Sequence, residues 1–243
     1  METTSYIALS RQATLRREMS MVANNMANLE TPAYRGEGMM FTEYLAETQD
    51  GKTGKLSFVQ DIGTVRDLQE GPMTRTENPL DLALRGTGYF VVETEDGPRY
   101  TRNGSFQLNE AGEIVNAAGN PVLDANNNPI AVPEASGLLE IAGDGTVSTD
   151  QGELAQIQLV EFENEQQLQK RANGLFEPRE EQEVLPAEDV TVMQGMIEGS
   201  NVQGVVEMTR MIELVRSYQS ASKIGEQEHE RILRAVRTLV SQG

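Results

Sequence analysis

The chain has 243 residues, no cysteine and a formal net charge of −18 at pH 7. A surface this acidic repels the phosphate groups of nucleic acids and of anionic membranes, so neither is an expected partner. The lack of cysteine excludes a disulfide framework and a thiolate metal site. Because no run approaches the roughly 18 apolar residues of a membrane span, no membrane insertion is expected either.

The first predicted element is an amphipathic helix over residues 5–29. Apolar residues recur there at alternate steps of three and four, and neither glycine nor proline occurs before Pro32. Thr31 precedes that proline, and a residue before proline disfavours helical backbone, so we expect the helix to end at this point. The apolar stripe contains Leu15, Met19, Val22, Met26 and Leu29.

The middle of the chain has the pattern of β structure. We predict an extended connecting segment over residues 36–77, a β-rich domain over 78–186 and a return linker over 187–199. Short apolar runs are separated by turn dipeptides such as Asp96-Gly97, a strong hairpin signal. Alternation of apolar residues also indicates half-buried strands, as at Leu80, Leu82 and Leu84. The short connections favour about eight to ten antiparallel strands.

The last predicted element is a long helix over residues 200–242. It contains no proline, and a helix of about 38 residues would be roughly 57 Å long at 1.5 Å per residue. That is longer than a domain of this size needs to cover its core, and a long helix with a heptad-type seam requires a partner helix. The seam of this helix contains Met208, Met211, Val215, Tyr218, Ile232, Val236 and Leu239.

These elements predict an α+β fold in which residues 1–35 and 200–243 form a terminal helical domain. The two helices are expected to pair in a coiled-coil-like unit, either parallel or antiparallel, with the mostly antiparallel β domain inserted between them. The alternative is two separate amphipathic helices that each pack on the β core.

Candidate sites of chemistry all fail on residue type or spacing. The single histidine, His229, lies on the helix seam, where the spacing places no nucleophile or orienting carboxylate beside it. Asp124 opens a segment like a calcium loop, but Pro129 stands where that loop needs glycine. The carboxylate pair Glu180 and Glu181 has no aromatic platform for a sugar ring. We therefore expect no catalytic residue, cofactor, metal ion or small-molecule ligand.

Three segments resemble the bacterial flagellar rod and hook protein family. Residues 24–35, NNMANLETPAYR, are similar to the family's NNxANxxTxGF segment. Residues 78–123 resemble its central pattern PLDxAIxGxGFFxV followed by YTRxGxF, and residues 199–219 resemble SNVxxVxEMxxMIxxQRxYE. The order of the three motifs is also that of the family. The positions matched in the terminal motifs are Asn24, Asn25, Asn28, Thr31, Asn201 and Val202.

The resemblance implies a structural subunit that assembles with other rod proteins into a helical tube, the drive shaft of the flagellum. The sequence TPAYR is close to that of the proximal-rod members, and a distal rod protein is the alternative within the family. Members are exported by the flagellar export apparatus, which agrees with the absence of a cleaved signal peptide at residues 1–9. The implied location is the basal body, in the rod that spans the periplasm, and the helical stripes above become the expected assembly seam.

A secreted adhesin and a cell-wall enzyme are the two alternative classes of protein. A secreted adhesin could display the β domain on a helical stalk, and it would need an exposed aromatic cluster as its ligand site. An enzyme that cuts the cell wall would need isolated buried carboxylates in a cleft. The aromatic residues fall mostly at strand-interior positions and no such carboxylates stand out, so the structural function is favoured over both.

Overall fold

A computed structural model describes residues 2–46, 56–133, 137–179, 182–187 and 189–240. The chain divides into two compact units. Unit 1 contains residues 1–28, 36–67 and 202–243, and unit 2 contains residues 29–35 and 68–201.

Unit 1 consists of two helices and one β hairpin. Helix α1 is Glu2–Ala27 and helix α2 is Gly204–Val240. The hairpin strands are β1, Glu37–Ala46, and β2, Leu56–Arg66, and they pair antiparallel with Glu37 opposite Arg66. A bulge interrupts the register after Met40. Both strands contact α1, so that helix shares its apolar surface between α2 and the hairpin.

The coiled-coil-like pairing predicted for the two helices is wrong, although the α+β class fits. The buried contact between α1 and α2 is one cluster, and the side chains that α2 buries in it are Leu214 and Ala221. The predicted seam omits both and includes Met208 and Val215, which are 55% and 38% exposed. The physical reason is that α2 has two apolar stripes with the same spacing of three and four residues, and the predicted seam combined members of both, since Met211 and Tyr218 belong to the buried one.

Unit 2 contains short antiparallel strands joined by tight turns, as predicted for the middle of the chain. Its described residues form 15 strands, more than the eight to ten expected, because many are only two or three residues long. Short 3-10 turns occupy Glu165–Gln167 and Ala172–Gly174. The strands are β3 (Met73–Arg75), β4 (Leu82–Arg85), β5 (Tyr89–Thr94), β6 (Gly97–Thr101), β7 (Phe106–Leu108), β8 (Ile114–Asn116), β9 (Leu139–Ile141), β10 (Thr146–Thr149), β11 (Gly152–Gln156), β12 (Leu159–Glu161), β13 (Gln169–Lys170), β14 (Phe176–Glu177), β15 (Leu185–Pro186), β16 (Thr191–Gln194) and β17 (Met196–Glu198).

The core of unit 2 lies on both faces of β5, which is central in a six-stranded sheet of order β13-β14-β6-β5-β12-β15. Successive side chains of a strand point to opposite faces. Phe90 and Val92 therefore enter one apolar cluster, while Tyr89 and Val91 enter another. The last two strands pair with the first two, since β16 lies against β4 and β17 against β3. The last strands of unit 2 thus supply the pairing partners of its first strands.

Candidate assembly site

Helix α2 presents an exposed apolar stripe at its N-terminal end. The exposed fractions are 82% for Val205, 55% for Met208, 49% for Ile212 and 38% for Val215. Steps of three, four and three residues place these side chains on one face of the helix, over about 15 Å. We call these four residues the α2 stripe. A contiguous exposed apolar surface of this kind is typical of a protein contact.

The second apolar stripe of α2 packs inside unit 1. Leu214 and Ala221 are buried there, and Met211 and Tyr218 are partly buried against the same cluster. Polar contacts flank it, since Arg210 donates to Glu18 at 2.8 Å and Arg16 donates to the Tyr218 hydroxyl at 3.4 Å. This stripe therefore holds the two helices of one subunit together.

The predicted seam is consequently divided between two environments. Its buried or partly buried members within unit 1 are Leu15, Met19, Val22, Met26, Met211 and Tyr218. Met208 and Val215 are exposed on the α2 stripe, and Leu29 is half-buried in unit 2. Ile232, Val236 and Leu239 lie on α2, outside the residues whose side chains the structure describes, as does His229.

Asn25, a motif residue, fixes the start of the hairpin to α1. Its side-chain amide donates to the Glu37 carbonyl at 2.9 Å, and its amide oxygen accepts from the Glu37 backbone N–H at 3.0 Å. Asn25 is only 2% exposed. The two bonds imitate one rung of a β ladder, so α1 supplies a pairing partner to the first residue of β1.

Replacing Asn25 with alanine should destabilise unit 1 by about 1–3 kcal/mol, because both backbone groups of Glu37 lose buried partners. Hydrogen exchange of the β1 amides in the purified chain measures this loss. Asn28→Ala is the matched control, since its amide donates to the Asn24 carbonyl at 2.8 Å in a solvent-facing bond. Equal protection in both variants would contradict the role given to Asn25.

Most of the remaining motif residues bond to backbone groups, some within one turn and some to residues distant in the sequence. Asn28 caps the last turn of α1 through the bond just described. The Thr31 carbonyl accepts from Tyr34 N–H at 3.3 Å. Asn201 donates from its side chain to the Gln69 carbonyl at 2.9 Å and from its backbone to the Tyr34 carbonyl at 3.2 Å. Val202, the neighbouring motif residue, is half-buried at the start of the last segment of unit 1.

Unit 2 also buries a cluster of charged side chains that the sequence analysis did not identify. The Glu198 carboxylate accepts from Arg35 at 2.9 Å, from Arg102 at 3.2 Å and from the backbone N–H of Gly71 at 3.0 Å. The side chains of Arg35, Arg102 and Glu198 are 7%, 4% and 1% exposed. We call these three residues the Glu198 cluster.

Arg102 ties this cluster to the loop between β4 and β5. Its guanidinium donates to the Gly86 carbonyl at 2.6 Å and to the Gly88 carbonyl at 2.9 Å. It also lies 3.6 Å from the half-exposed carboxylate of Glu70. In the sequence, each of the three charged residues lies in or beside one of the three segments that resemble the family. Arg35 ends the first segment, Arg102 lies in the second and Glu198 precedes the third.

Catalytic chemistry has no support in this arrangement. Within the described ranges, no three His, Cys, Asp or Glu side chains are grouped so that they could hold a metal ion. The Asp124 carboxylate instead accepts from the backbone N–H groups of Asn126 and Asn128, both at 2.8 Å, and so stabilises its own turn. Neither described helix is both long and apolar enough to cross a bilayer.

Comparison with protein families places three matches along the chain. Residues 6–35 match the flagella basal body rod protein model. Residues 83–149 match the flagellar hook protein FlgE/F/G D1 domain. Residues 193–237 match the C-terminal region of flagellar basal body rod FlgEFG proteins.

Curated relatives extend the similarity over nearly the whole chain. Flagellar basal-body rod protein FlgF of Caulobacter vibrioides is 38% identical over 242 residues, which cover 98% of each chain. FlgF of Rhizobium meliloti is 32% identical, again with 98% of each chain covered. Flagellar basal-body rod protein FlgG of Bacillus subtilis is 29% identical over 90% of this chain and 92% of its own.

Proposed function

The chain belongs to the flagellar basal-body rod protein family, and from this we propose that it is a subunit of the proximal rod that contacts its neighbours through the α2 stripe. The family is structural, so the chain is a structural protein of the flagellar basal body and not an enzyme. Its partners in this proposal are other rod subunits, reached after passage through the flagellar export apparatus into the periplasm-spanning rod.

The proximal position rests on the relatives and on one motif. The FlgF proteins of Caulobacter vibrioides and Rhizobium meliloti align at 38% and 32% identity, against 29% for FlgG of Bacillus subtilis. Residues 31–35, TPAYR, are also close to the proximal-rod pattern TPxFR. A distal rod protein of the same family is the alternative.

The observation that carries the assembly proposal is the exposure of the α2 stripe. Burying a Val, Ile or Met side chain completely contributes about 1.5–3 kcal/mol, so four partly exposed ones can supply several kcal/mol to a contact. Leu15 and Val22 of the predicted seam are already buried inside unit 1, so their apolar surface is not available for a contact between subunits. We therefore assign Met208 and Val215 to the contact between subunits and Leu15 and Val22 to the subunit itself.

The C-terminal seam positions are not members of the α2 stripe, and their part in the assembly stays a prediction from the sequence. Ile232, Val236 and Leu239 repeat every three or four residues along the same helix. A helix face that meets a different surface on each neighbour makes a heterologous contact, and repeated heterologous contacts build an open helical assembly instead of a closed ring. A rod of indefinite length requires contacts of that type.

Polar substitution of the stripe should abolish motility without unfolding the subunit. We expect a strain carrying Met208→Ser together with Ile212→Ser to lose swimming on soft agar, because the contact loses its two central apolar side chains. The purified variant should unfold within about 2 °C of the parent, since surface substitutions change stability little.

The matched control is Glu213→Ser with Ser220→Asn, two exposed positions on a different face of α2 from the stripe. This variant should swim normally. Electron microscopy of basal bodies from the stripe variant, and from a strain without the gene, should show arrest before the distal rod. Wild-type swimming of the stripe variant would refute the assembly proposal, and basal bodies with a complete proximal rod would favour the distal position.

A further inference from the structure

The Glu198 cluster has one carboxylate for two buried guanidinium groups. Arg35 and Arg102 are both more than nine-tenths buried, and each makes its ion pair with the same side chain. Glu70 lies 3.6 Å from Arg102 but is 39% exposed, and its other bond is to the backbone N–H of Gly86 at 2.8 Å. Removing Glu198 would therefore leave Arg35 buried without a carboxylate.

The carboxylate also comes from the last strand of unit 2. Glu198 lies 96 residues after Arg102 and 127 residues after Gly71, whose N–H it accepts. The strands that bring it, β16 and β17, pair with β4 and β3 at the beginning of the unit. Val192 of β16 enters the main apolar core with Leu84. Charge pairing and core completion thus depend on the same final segment.

From this we propose that Glu198 is a folding latch, the group whose arrival allows unit 2 to close as a whole. Before residues 191–198 are in place, closing the unit would bury two cations with too little negative charge near them. Burying an unpaired charge costs far more than the pair contributes once formed, so the closed state is disfavoured until the carboxylate docks. The chain up to residue 190 therefore keeps unit 2 open. This inference is independent of which neighbours α2 contacts.

The test compares hydrogen exchange in the full-length parent with Glu198→Gln, which keeps the size of the side chain and removes its charge. We expect the protected amides of β5 and β6, and not only that of Gly71, to exchange about 100-fold faster, because the whole unit opens. Increased exchange confined to Gly71 and the residues beside Glu198 would overturn the proposal, since it would show a local contact.

Two further variants separate the charge from packing. Glu177→Gln is the matched control, because Glu177 also pairs with two arginines, Arg99 and Arg171, but is 26% exposed. Its effect on exchange should stay below about fivefold. Adding Arg35→Met to Glu198→Gln removes one uncompensated cation and should restore protection by at least about tenfold. A double variant as unprotected as Glu198→Gln alone, or less protected, would refute the latch even if the single variant folds poorly.

Discussion

Gly104→Ala is expected to destabilise unit 2 by more than about 3 kcal/mol. A Cβ at this position would lie 1.8 Å from the carbonyl oxygen of Leu82 and 3.1 Å from the Phe90 ring. The obstacle is backbone, so it cannot be relieved by a rotamer change. The Gly104 carbonyl also accepts from the Leu82 N–H at 2.9 Å, a bond that the forced separation would lengthen.

Urea unfolding, followed by hydrogen exchange of peptides that cover β4 to β6, would measure this effect in unit 2 separately from unit 1. The matched control is Gly137→Ala, where the added Cβ would meet the Asp150 side-chain oxygen at 3.3 Å. A carboxylate end can move aside, so this change should cost less than about 1 kcal/mol. Similar urea midpoints for the two variants would show that the close approach of residue 104 to β4 is not required for the stability of unit 2.

Phe90→Ala should cost about 3–5 kcal/mol, because it removes a fully buried ring from the larger apolar cluster. Phe90 is 0% exposed, and its ring meets that of Phe106 edge-on at a centroid distance of 5.1 Å. The residual cavity would be bordered by Phe106, which is itself buried.

Two variants calibrate the Phe90 result. Phe90→Leu keeps most of the apolar volume and should cost less than half as much as the alanine change. Leu138→Ala removes a side chain that is 85% exposed and should leave the urea midpoint within experimental error. Equal losses at Phe90 and Leu138 would contradict the assignment of the core to the two faces of β5.

The helices show where sequence reasoning reaches its limit. The spacing correctly predicted two helices, and α1 buries Leu15 and Val22 of its stripe. On α2, however, Met211, Leu214, Tyr218 and Ala221 have the same spacing as the α2 stripe. Periodicity identifies an apolar face but not its partner, and the hairpin that competes for α1 is a tertiary feature. The coiled-coil prediction failed for that reason.

The β unit was more predictable because its signals are local. Asp96-Gly97 marked the turn between β5 and β6, and Gly97 adopts a φ of +100°, which favours glycine. The Glu198 cluster was not predictable in the same way. Its three charged residues are far apart in the sequence, and nothing in their local patterns indicates that they meet or that they are buried.

The pairing of β17 with β3 has a mechanical consequence. Glu198 stands opposite Met73, and Gly199 N–H donates to the Pro72 carbonyl at 2.8 Å. Tension applied at residues 68 and 201 would therefore pull this antiparallel pair apart like a zipper, one hydrogen bond after another. Resistance to a sustained load depends on how fast the first opening occurs. The buried ion pairs stand at that first rung, so under load they would set the force at which unit 2 begins to open.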